Sequence, residues 1–417
     1  MSGCQVTVVG AGIVGACIGL SLQKAGHDVV LVDRDEPGSG CSFGNSGAIL
    51  SLSASTQLPG PRLLAQIPKM LLDRDAPLVV RWRHLPGLTR WFLAFLMECR
   101  QVRQEETARA MATLLADTTG AYDRLLDGSP ADALIRRNGA LGLSRTEAWF
   151  EGDRWRRDFN VSLGNRMQEL NREKLHRLEP SITSSVARAA YYPDAYSTLD
   201  PVGLTRQIAD DMVAGGGRLV RAEVTDVRIE NGRPAALLTN QGEMKVDRLV
   251  VAAGAYSHRV AARMGIRVLL NTERGYHVDI DDLPNGLSRV LLHGEHALAI
   301  NPRENGLRMA GNVEFSSLEA APDYRRAQIL WRKGREVLRE TATGDMPEMN
   351  FWMGRRPTLP DYRPVIDRAP GLENCWFAFG HQHLGMSLAA RTGEVVLDLL
   401  EGRDPGFDLR PFRADRF

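Results

Sequence analysis

Long hydrophobic runs are missing from this chain. No stretch reaches about 18 uninterrupted apolar residues, which argues against a membrane-spanning helix. Cysteine is scarce: Cys4, Cys17, Cys41, Cys99 and Cys375 are scattered and form no C-x-x-C pair. That spacing speaks against a zinc site or a disulfide framework and suits a reducing compartment. Neither sign of charge dominates, since 52 Lys and Arg face 51 Asp and Glu for a net charge of +1. Bulk electrostatics therefore give no reason to expect a nucleic-acid partner. Repeats, low-complexity tracts and long linkers are also lacking. Only Met1 to Gln5 precede the first apolar run, too few for a cleavable leader, so the expected location is the cytoplasm.

What is present is near the globular average, with 43% hydrophobic and 25% charged residues. A length of 417 residues suits two domains or one large α/β unit. Val6 to Val9 reads as a short buried strand. Gly10, Gly12 and Gly15 follow as G-x-G-x-x-G, and Ala16 to Lys24 reads as a helix ending near Gly26. A second apolar strand, in HDVVLVDRDE, ends in Asp33. This is a βαβ unit of about 30 residues, the pattern of a dinucleotide site. Gly10 permits the tight turn, Gly12 lets the backbone approach a pyrophosphate, and Gly15 lets helix and strand pack closely. The helix N-terminus offers N–H groups and positive potential to the phosphates, and Ile13 and Val14 of the glycine turn before it are cofactor-binding candidates. Asp33, with Arg34 beside it, is placed to meet ribose hydroxyls. A carboxylate there disfavours the 2′-phosphate of NADP and leaves FAD and NAD.

The next stretch, RDEPGSGCSFGNSGAIL, favours FAD. An NAD enzyme would usually continue with alternating helices and strands, whereas this loop of Gly, Ser and Asn suits a long cofactor running past it. Ser42 is placed to bond a phosphate, and Asn45, Ser46 and Gly47 to lie along a flavin edge. Read alone, such residues also make ordinary surface loops. Small residues at Ala253 and Gly254, after the strand in DRLVVAAGAYS, let backbone pass near a cofactor.

Taken in order, the N-terminal βαβ unit, CSFGNSG, LVVAAGAYS, GRRPTLPDYRPVID and FGHQHLGMSLAARTGEVVLDLL span nearly the whole chain. Together they resemble the FAD-dependent D-amino-acid oxidoreductases, most closely the bacterial D-amino-acid dehydrogenase type. With the patterning, the resemblance implies an α/β chain (α+β overall). Its Rossmann-like, glutathione-reductase-like FAD-binding domain would span 1–56, 172–258 and 350–417. That domain would be interleaved with an antiparallel-sheet substrate domain, 57–171 and 259–349, carrying a helical insertion. The resemblance further implies that Val224 offers its backbone to the adenine. The flavin's pyrimidine end would lie at the helix N-terminus reached through Gly380, Leu384, Gly385 and Met386.

Short strand-like runs from Asn271 to Phe315 read as the antiparallel sheet, in which Tyr276 and His277 are candidates to face the substrate. Pro61 to Leu126 reads as helical. There RWFLAFLMECRQ is either a core or lid helix or a face that touches a membrane or a quinone-bearing partner. An arginine fork binds a carboxylate through two parallel hydrogen bonds. Arg355 and Arg356 both qualify, and the residues alone do not choose between them. Matching Gly354-x-Arg356-Pro357 to the family's G-x-R-P pattern implies that Arg356 is the substrate-carboxylate ligand. His381 and His383 are candidates for acid–base work or for structural hydrogen bonds, and the resemblance matches His381. Cys375 is expected to pack rather than to carry a flavin.

The expected activity is FAD-dependent oxidative deamination of a D-amino acid. Hydride passes from the α-carbon to flavin N5, and the imino acid hydrolyses to a 2-oxo acid and ammonia with no dedicated base. Alternatives are a cyclic or N-alkylated secondary amino acid (cis-4-hydroxy-D-proline, D-proline or sarcosine), a flavin-holding subunit of a hetero-oligomer, or an NAD enzyme. For the electron acceptor the resemblance tilts towards a membrane quinone, with oxygen or a carrier protein as alternatives. That acceptor would make the protein peripheral on the inner face of the cytoplasmic membrane. An oligomer is compatible with the sequence.

Overall fold

The structure is a computed structural model that describes residues 3–51, 76, 78–81, 85–281, 286–339 and 348–417. Part of the helical reading over Pro61 to Leu126, namely 61–75, 77 and 82–84, lies outside the described residues.

The chain opens with β1 (Gln5–Val9), α1 (Ile13–Lys24) and β2 (Asp28–Asp33). They belong to a six-stranded sheet ordered Val365–Arg368, Cys375–Phe379, Arg248–Val251, β1, β2, Arg218–Arg221. All neighbours are parallel except Val365–Arg368, which pairs antiparallel with Cys375–Phe379. The inner strands read as continuous apolar runs because both of their faces are covered. On one face Val6, Val8, Leu31 and Val250 pack against α1, and on the other Val9, Val251 and Phe377 pack into a second core. The glycines do what their spacing predicts. Gly10 has φ +112°, and a Cβ there would lie 2.4 Å from the Ala252 carbonyl oxygen. A Cβ on Gly15 would lie 1.8 Å from the Gly10 carbonyl oxygen, so only glycine lets α1 approach β1 this closely.

A second sheet has nine strands. Three of them carry the site: β3 (Asn271–Asp281), β4 (Gly306–Phe315) and β5 (Met349–Thr358). β3 lies between the other two and is antiparallel to both. Beyond β4 the order continues Leu298–Arg303, Val290–His293, Ala140–Ser144, Arg188–Tyr192, Gln168–Asn171, and Leu78–Val80 also pairs with β4. The runs read as strands between Asn271 and Phe315 are all present. One face of this sheet packs Val278, Ile280, Leu307 and Met309 against Leu330 and Trp331 of the helix Arg325–Gly334. The amphipathic helix α2 (Leu85–Glu98) buries Leu88, Trp91 and Phe95 with Phe315 of β4. The long helix α3 (Gly385–Glu401) ends at Gly402 in a left-handed cap, φ +74°.

Three segments differ from the boundaries the sequence implies. Residues 172–192, expected on the nucleotide side, supply Arg188–Tyr192 to the nine-stranded sheet, and Met349–Thr358 does the same. In the other direction, the helices Gln101–Leu115 and Thr118–Leu126 pack with α1 and α3: Met111, Leu114, Tyr122 and Leu125 share a core with Ile18, Leu22 and Val396. An amphipathic pattern states that a face is buried but not against which partner.

Candidate active site

The C-terminal ends of β1, β2, Arg248–Val251 and Cys375–Phe379 converge on one cavity of about 380 Å³. Ligands of open parallel sheets bind at this edge. Its walls come from residues 9–14, 32–36, 38–42, 222–224, 252–256, 259–260, 352–355, 357 and 378–382, with Gly385. Most of the cofactor candidates meet here: Gly10, Gly12, Ile13, Val14, Asp33, Arg34, Ser42, Val224, Ala253, Gly254, Gly380 and Gly385. Gly15 stands one turn back, as the packing glycine.

Each of these groups is positioned locally. The Asp33 carboxylate accepts from the backbone N–H of Ala11 at 2.6 Å and of Asp35 at 3.0 Å, which fixes it at the end of β2. Ser42 Oγ accepts from the Ile13 N–H at 2.9 Å, so this hydroxyl sits on the N-terminus of α1 and keeps its own proton to donate. A Cβ on Gly12 would meet only Ser42 Oγ, at 3.5 Å, leaving that backbone open to the cavity. The Arg34 guanidinium lies 4.1 Å over the Tyr256 ring. Gln382 lines the far end, and both polar atoms of its amide are buried with no hydrogen-bond partner among the described residues. A buried unpaired donor and acceptor on a cavity wall call for a polar ligand edge. Acid, glycine turn, two helix N-termini and the orphaned amide together fit FAD: Asp33 for the ribose, the α1 turn with Ser42 for the pyrophosphate, and Gln382 with the α3 N-terminus for the ring system.

The other cofactor candidates lie elsewhere. Asn45, Ser46 and Gly47 are not part of the cavity wall. Asn45 Oδ1 accepts from the Gly47 N–H at 2.8 Å, the Asn45 carbonyl accepts from Arg308 at 2.9 Å, and the Gly47 carbonyl accepts from Thr198 at 2.8 Å. This half of the loop is tied to the nine-stranded sheet through Arg308, itself paired with Asp279. Leu384 and Met386 turn into the core beneath α3, where the Met386 carbonyl accepts from Tyr122 at 2.6 Å. His381 lines the cavity, but its Nε2 is hydrogen-bonded to Thr392 at 3.0 Å, which braces the turn. Burial pushes it down to about 3, so it stays neutral.

The second part of the site is set by strand alternation. Directly paired residues of β3 and β5 share a face. Glu273, Gly275 and His277 therefore point the same way as their partners Arg356, Gly354 and Trp352. This face looks towards the loop 41–44: His277 lies between Phe43 and Trp352 at 6.2 and 5.1 Å, and the Cys41 thiol donates to the Arg355 carbonyl at 2.7 Å. Arg356 leans over Gly275, where any Cβ would strike the guanidinium. It donates to the Asn312 carbonyl at 2.9 Å and the Gly311 carbonyl at 3.4 Å. Its Nε and outer N–H groups have no partner among the described residues. Arg355 points to the other face and donates to the Leu318 carbonyl at 2.6 Å.

Tyr276 falls on that other face, and the expectation that it meets the substrate is corrected here. Its hydroxyl donates to Glu314 and accepts from the Asp323 N–H at 3.1 Å, away from Arg356. Alternation makes Gly275 and His277 the site-facing neighbours. His383 does share the interior space with Arg356. It is enclosed by protein yet keeps accessible surface, and burial together with the nearby Arg356 charge pushes it down to about 3.

Sequence reasoning missed Gln382 in the cavity and two residues beside Arg356. Glu273 is 1% exposed and accepts from the Tyr362 hydroxyl, and Arg356 is close enough to favour its charge. Tyr362 has φ +63° in the loop after β5. Its ring packs 5.8 Å from Phe95 of α2, which walls the chamber with apolar surface. A glutamate in a strand pattern and a tyrosine in P-D-Y-R-P were the available signals, and neither announces a site.

Comparison with known proteins agrees with this architecture. A D-amino-acid oxidase of Bradyrhizobium diazoefficiens is 34% identical over 100% of this chain and 99% of its own length. A D-amino acid dehydrogenase of Paramagnetospirillum magneticum is 30% identical over 99% of both chains. The crystal structure of glycine oxidase from Geobacillus kaustophilus shares the fold, with a TM-score of 0.76 at 21% identity over 99% of this chain and 98% of that one. Residues 5–399 match the family described as FAD dependent oxidoreductase. The nucleotide cavity and the guanidinium chamber are thus parts of a flavoenzyme, and the chain belongs to the FAD dependent oxidoreductase family.

Proposed function

We propose that this enzyme oxidises the Cα–N bond of a D-amino acid, giving a 2-oxo acid and ammonia. The carrying observation is Arg356: a guanidinium held from behind by two carbonyls, with free donors, on the strand whose residues 352–355 and 357 line the flavin cavity. The names of the two curated relatives support the choice of substrate class. FAD, when bound, supplies the acceptor for the hydride that leaves Cα. The chain's own residues bind and orient. Arg356 takes the substrate carboxylate with paired, charge-assisted hydrogen bonds. The aromatic wall of Trp91, Phe95 and Phe315 keeps water out of the chamber. Holding the Cα–H in one direction removes orientational entropy from the barrier.

We assign the electron acceptor to a quinone reached from a membrane surface. Support comes from α2 and the helix after it, where Leu93, Leu96, Met97 and Val102 are exposed on one side of the molecule's aromatic cluster. Among the described residues no helix is long and apolar enough to cross a membrane, so the contact would be peripheral.

The test is a substrate panel run without oxygen, following loss of flavin absorbance: D-alanine, L-alanine, D-proline, cis-4-hydroxy-D-proline and sarcosine. Bleaching by D-alanine but not L-alanine is the expected result. Bleaching by the secondary amines alone would move the assignment to that class. Admitting oxygen or a short-chain quinone to the bleached enzyme then identifies the acceptor, with rapid reoxidation by the quinone expected.

A further inference from the structure

We propose that Glu273, held by Tyr362 and set directly across the strand pair from Arg356, accepts the ammonium proton of the substrate. The inference rests on the amino-acid reading above and adds a proton acceptor that the sequence did not lead one to expect.

Glu273 and Arg356 are direct cross-strand partners on the chamber face, which places their Cβ atoms within about 5.5 Å of each other. Opposite charges so placed normally close into an ion pair. Here no ion pair joins them. Arg356 leans away over Gly275 to the carbonyls of Asn312 and Gly311, and Glu273 turns to the Tyr362 hydroxyl. The Glu273 Oε2 atom has no partner among the described residues. A guanidinium and a carboxylate held side by side and apart match the two charges of an amino-acid zwitterion, which sit on adjacent substituents of one carbon.

The hold on Glu273 is built at a cost. Tyr362 occupies the left-handed region at φ +63°, a strained conformation for a non-glycine residue. The flanking loop enforces it. Asp361 is fully buried, accepts from the Arg363 N–H at 3.1 Å, and pairs with Arg363 at 2.8 Å and Arg416 at 2.7 Å. Strain that the surroundings over-determine in this way is a mark of functional loops.

The proton step balances within the pair. The substrate N–H bond breaks, an O–H bond forms on Glu273, and the electron pair stays on nitrogen. One positive and one negative charge disappear together. The lone pair so freed is what loss of hydride from Cα requires, and Glu273 returns its proton to water after product leaves. Burial raises the Glu273 carboxyl above its ordinary value, with Tyr362 and Arg356 opposing, and a raised carboxyl is the better acceptor near neutrality. The other groups around it are poor acceptors. His383 is held near 3, Cys41 is pushed up to about 11 and Cys99 to about 12, and Tyr362 lies well above its usual value.

The test compares the flavin-loaded wild type with Glu273→Gln and Tyr362→Phe. The readouts are the pH profile of kcat/KM for a bleaching D-amino acid, and binding of benzoate, a carboxylate without an amine, by its perturbation of the flavin spectrum. For Glu273→Gln the expected result is a loss of about 100-fold or more at pH 7. That loss should shrink as pH rises through the substrate's own ammonium pKa, while benzoate affinity stays within about threefold. For Tyr362→Phe the acidic limb should move to higher pH, because the carboxylate loses its donor. A Glu273→Gln profile superimposable on the wild type, an equal loss at every pH, or parallel loss of benzoate binding would each overturn the proposal. An unmoved acidic limb in Tyr362→Phe would do so as well, and this variant serves if Glu273→Gln fails to retain flavin. Failure of every D-amino acid to bleach the wild type would instead strike the functional reading itself.

Discussion

At the scale of single residues, the decisive fact is which way a side chain points. Strands alternate, so a shift of one position exchanges chamber for core. Arg355 and Arg356 are neighbours, yet only Arg356 faces the chamber, and Tyr276 loses its expected place to Gly275 and His277 for the same reason. The motif was legible in the sequence, whereas the face was not, because face depends on pairing with β3. Arg356→Lys tests the anchor. A lysine keeps the charge but loses the fork and cannot also reach the Asn312 and Gly311 carbonyls. The expected effect is a loss of about 3 kcal/mol in kcat/KM, roughly a hundredfold, most of it in KM, with flavin content unchanged. Steady-state kinetics on the flavin-loaded variant decides this, and near-normal KM would refute the role of Arg356.

Among elements, the opening βαβ unit was the most legible part of the molecule. Its strand, glycines, helix and acid are local in sequence, so their spacing alone specifies the turn. Two glycines in that turn have separable tasks. Gly15→Ala would place a methyl group 1.8 Å from the Gly10 carbonyl oxygen, so the helix must back away from the strand. The expected cost is about 3 kcal/mol of stability together with loss of flavin. Gly12→Val would fill only open cavity, so the fold should survive while FAD is excluded. Thermal melts paired with flavin absorbance separate the two; a Gly12→Val protein that keeps its flavin would remove the pyrophosphate from this turn. Helix α2 was less legible. Its apolar pattern allowed a core helix or a docking face; the structure buries Trp91 and Phe95 in the core and leaves Leu93, Leu96 and Met97 exposed.

Across the whole molecule, folding buries several histidines away from water. His277 is held down at about 4, chiefly by burial and then by Arg308, and His293 and His381 at about 3 by burial. Their ordinary value is 6.5. Below 6.5 the unfolded chain takes up protons that the folded one refuses, so stability falls as pH drops. The slope is about 1.4 kcal/mol per pH unit for each such histidine. For His277 this continues to about pH 4, and for the other two to about pH 3. Melting temperature measured from pH 7.5 to 5 should decline steadily below 6.5, and His277→Gln should make the decline shallower. A flat profile would show that these side chains are hydrated in solution.

The sequence by itself determined the nucleotide-binding turn, the parallel strands around it and the arginine motif, because each is written in residues adjacent along the chain. The tertiary structure alone decided which face of β3 and β5 meets the ligand and that Glu273 and Tyr362 stand opposite Arg356. It also decided that the helices 101–126 pack beneath α3. Those facts arise from contacts between segments tens to hundreds of residues apart, and hydrophobic burial is non-directional: it requires that each apolar face be covered without naming the partner that covers it.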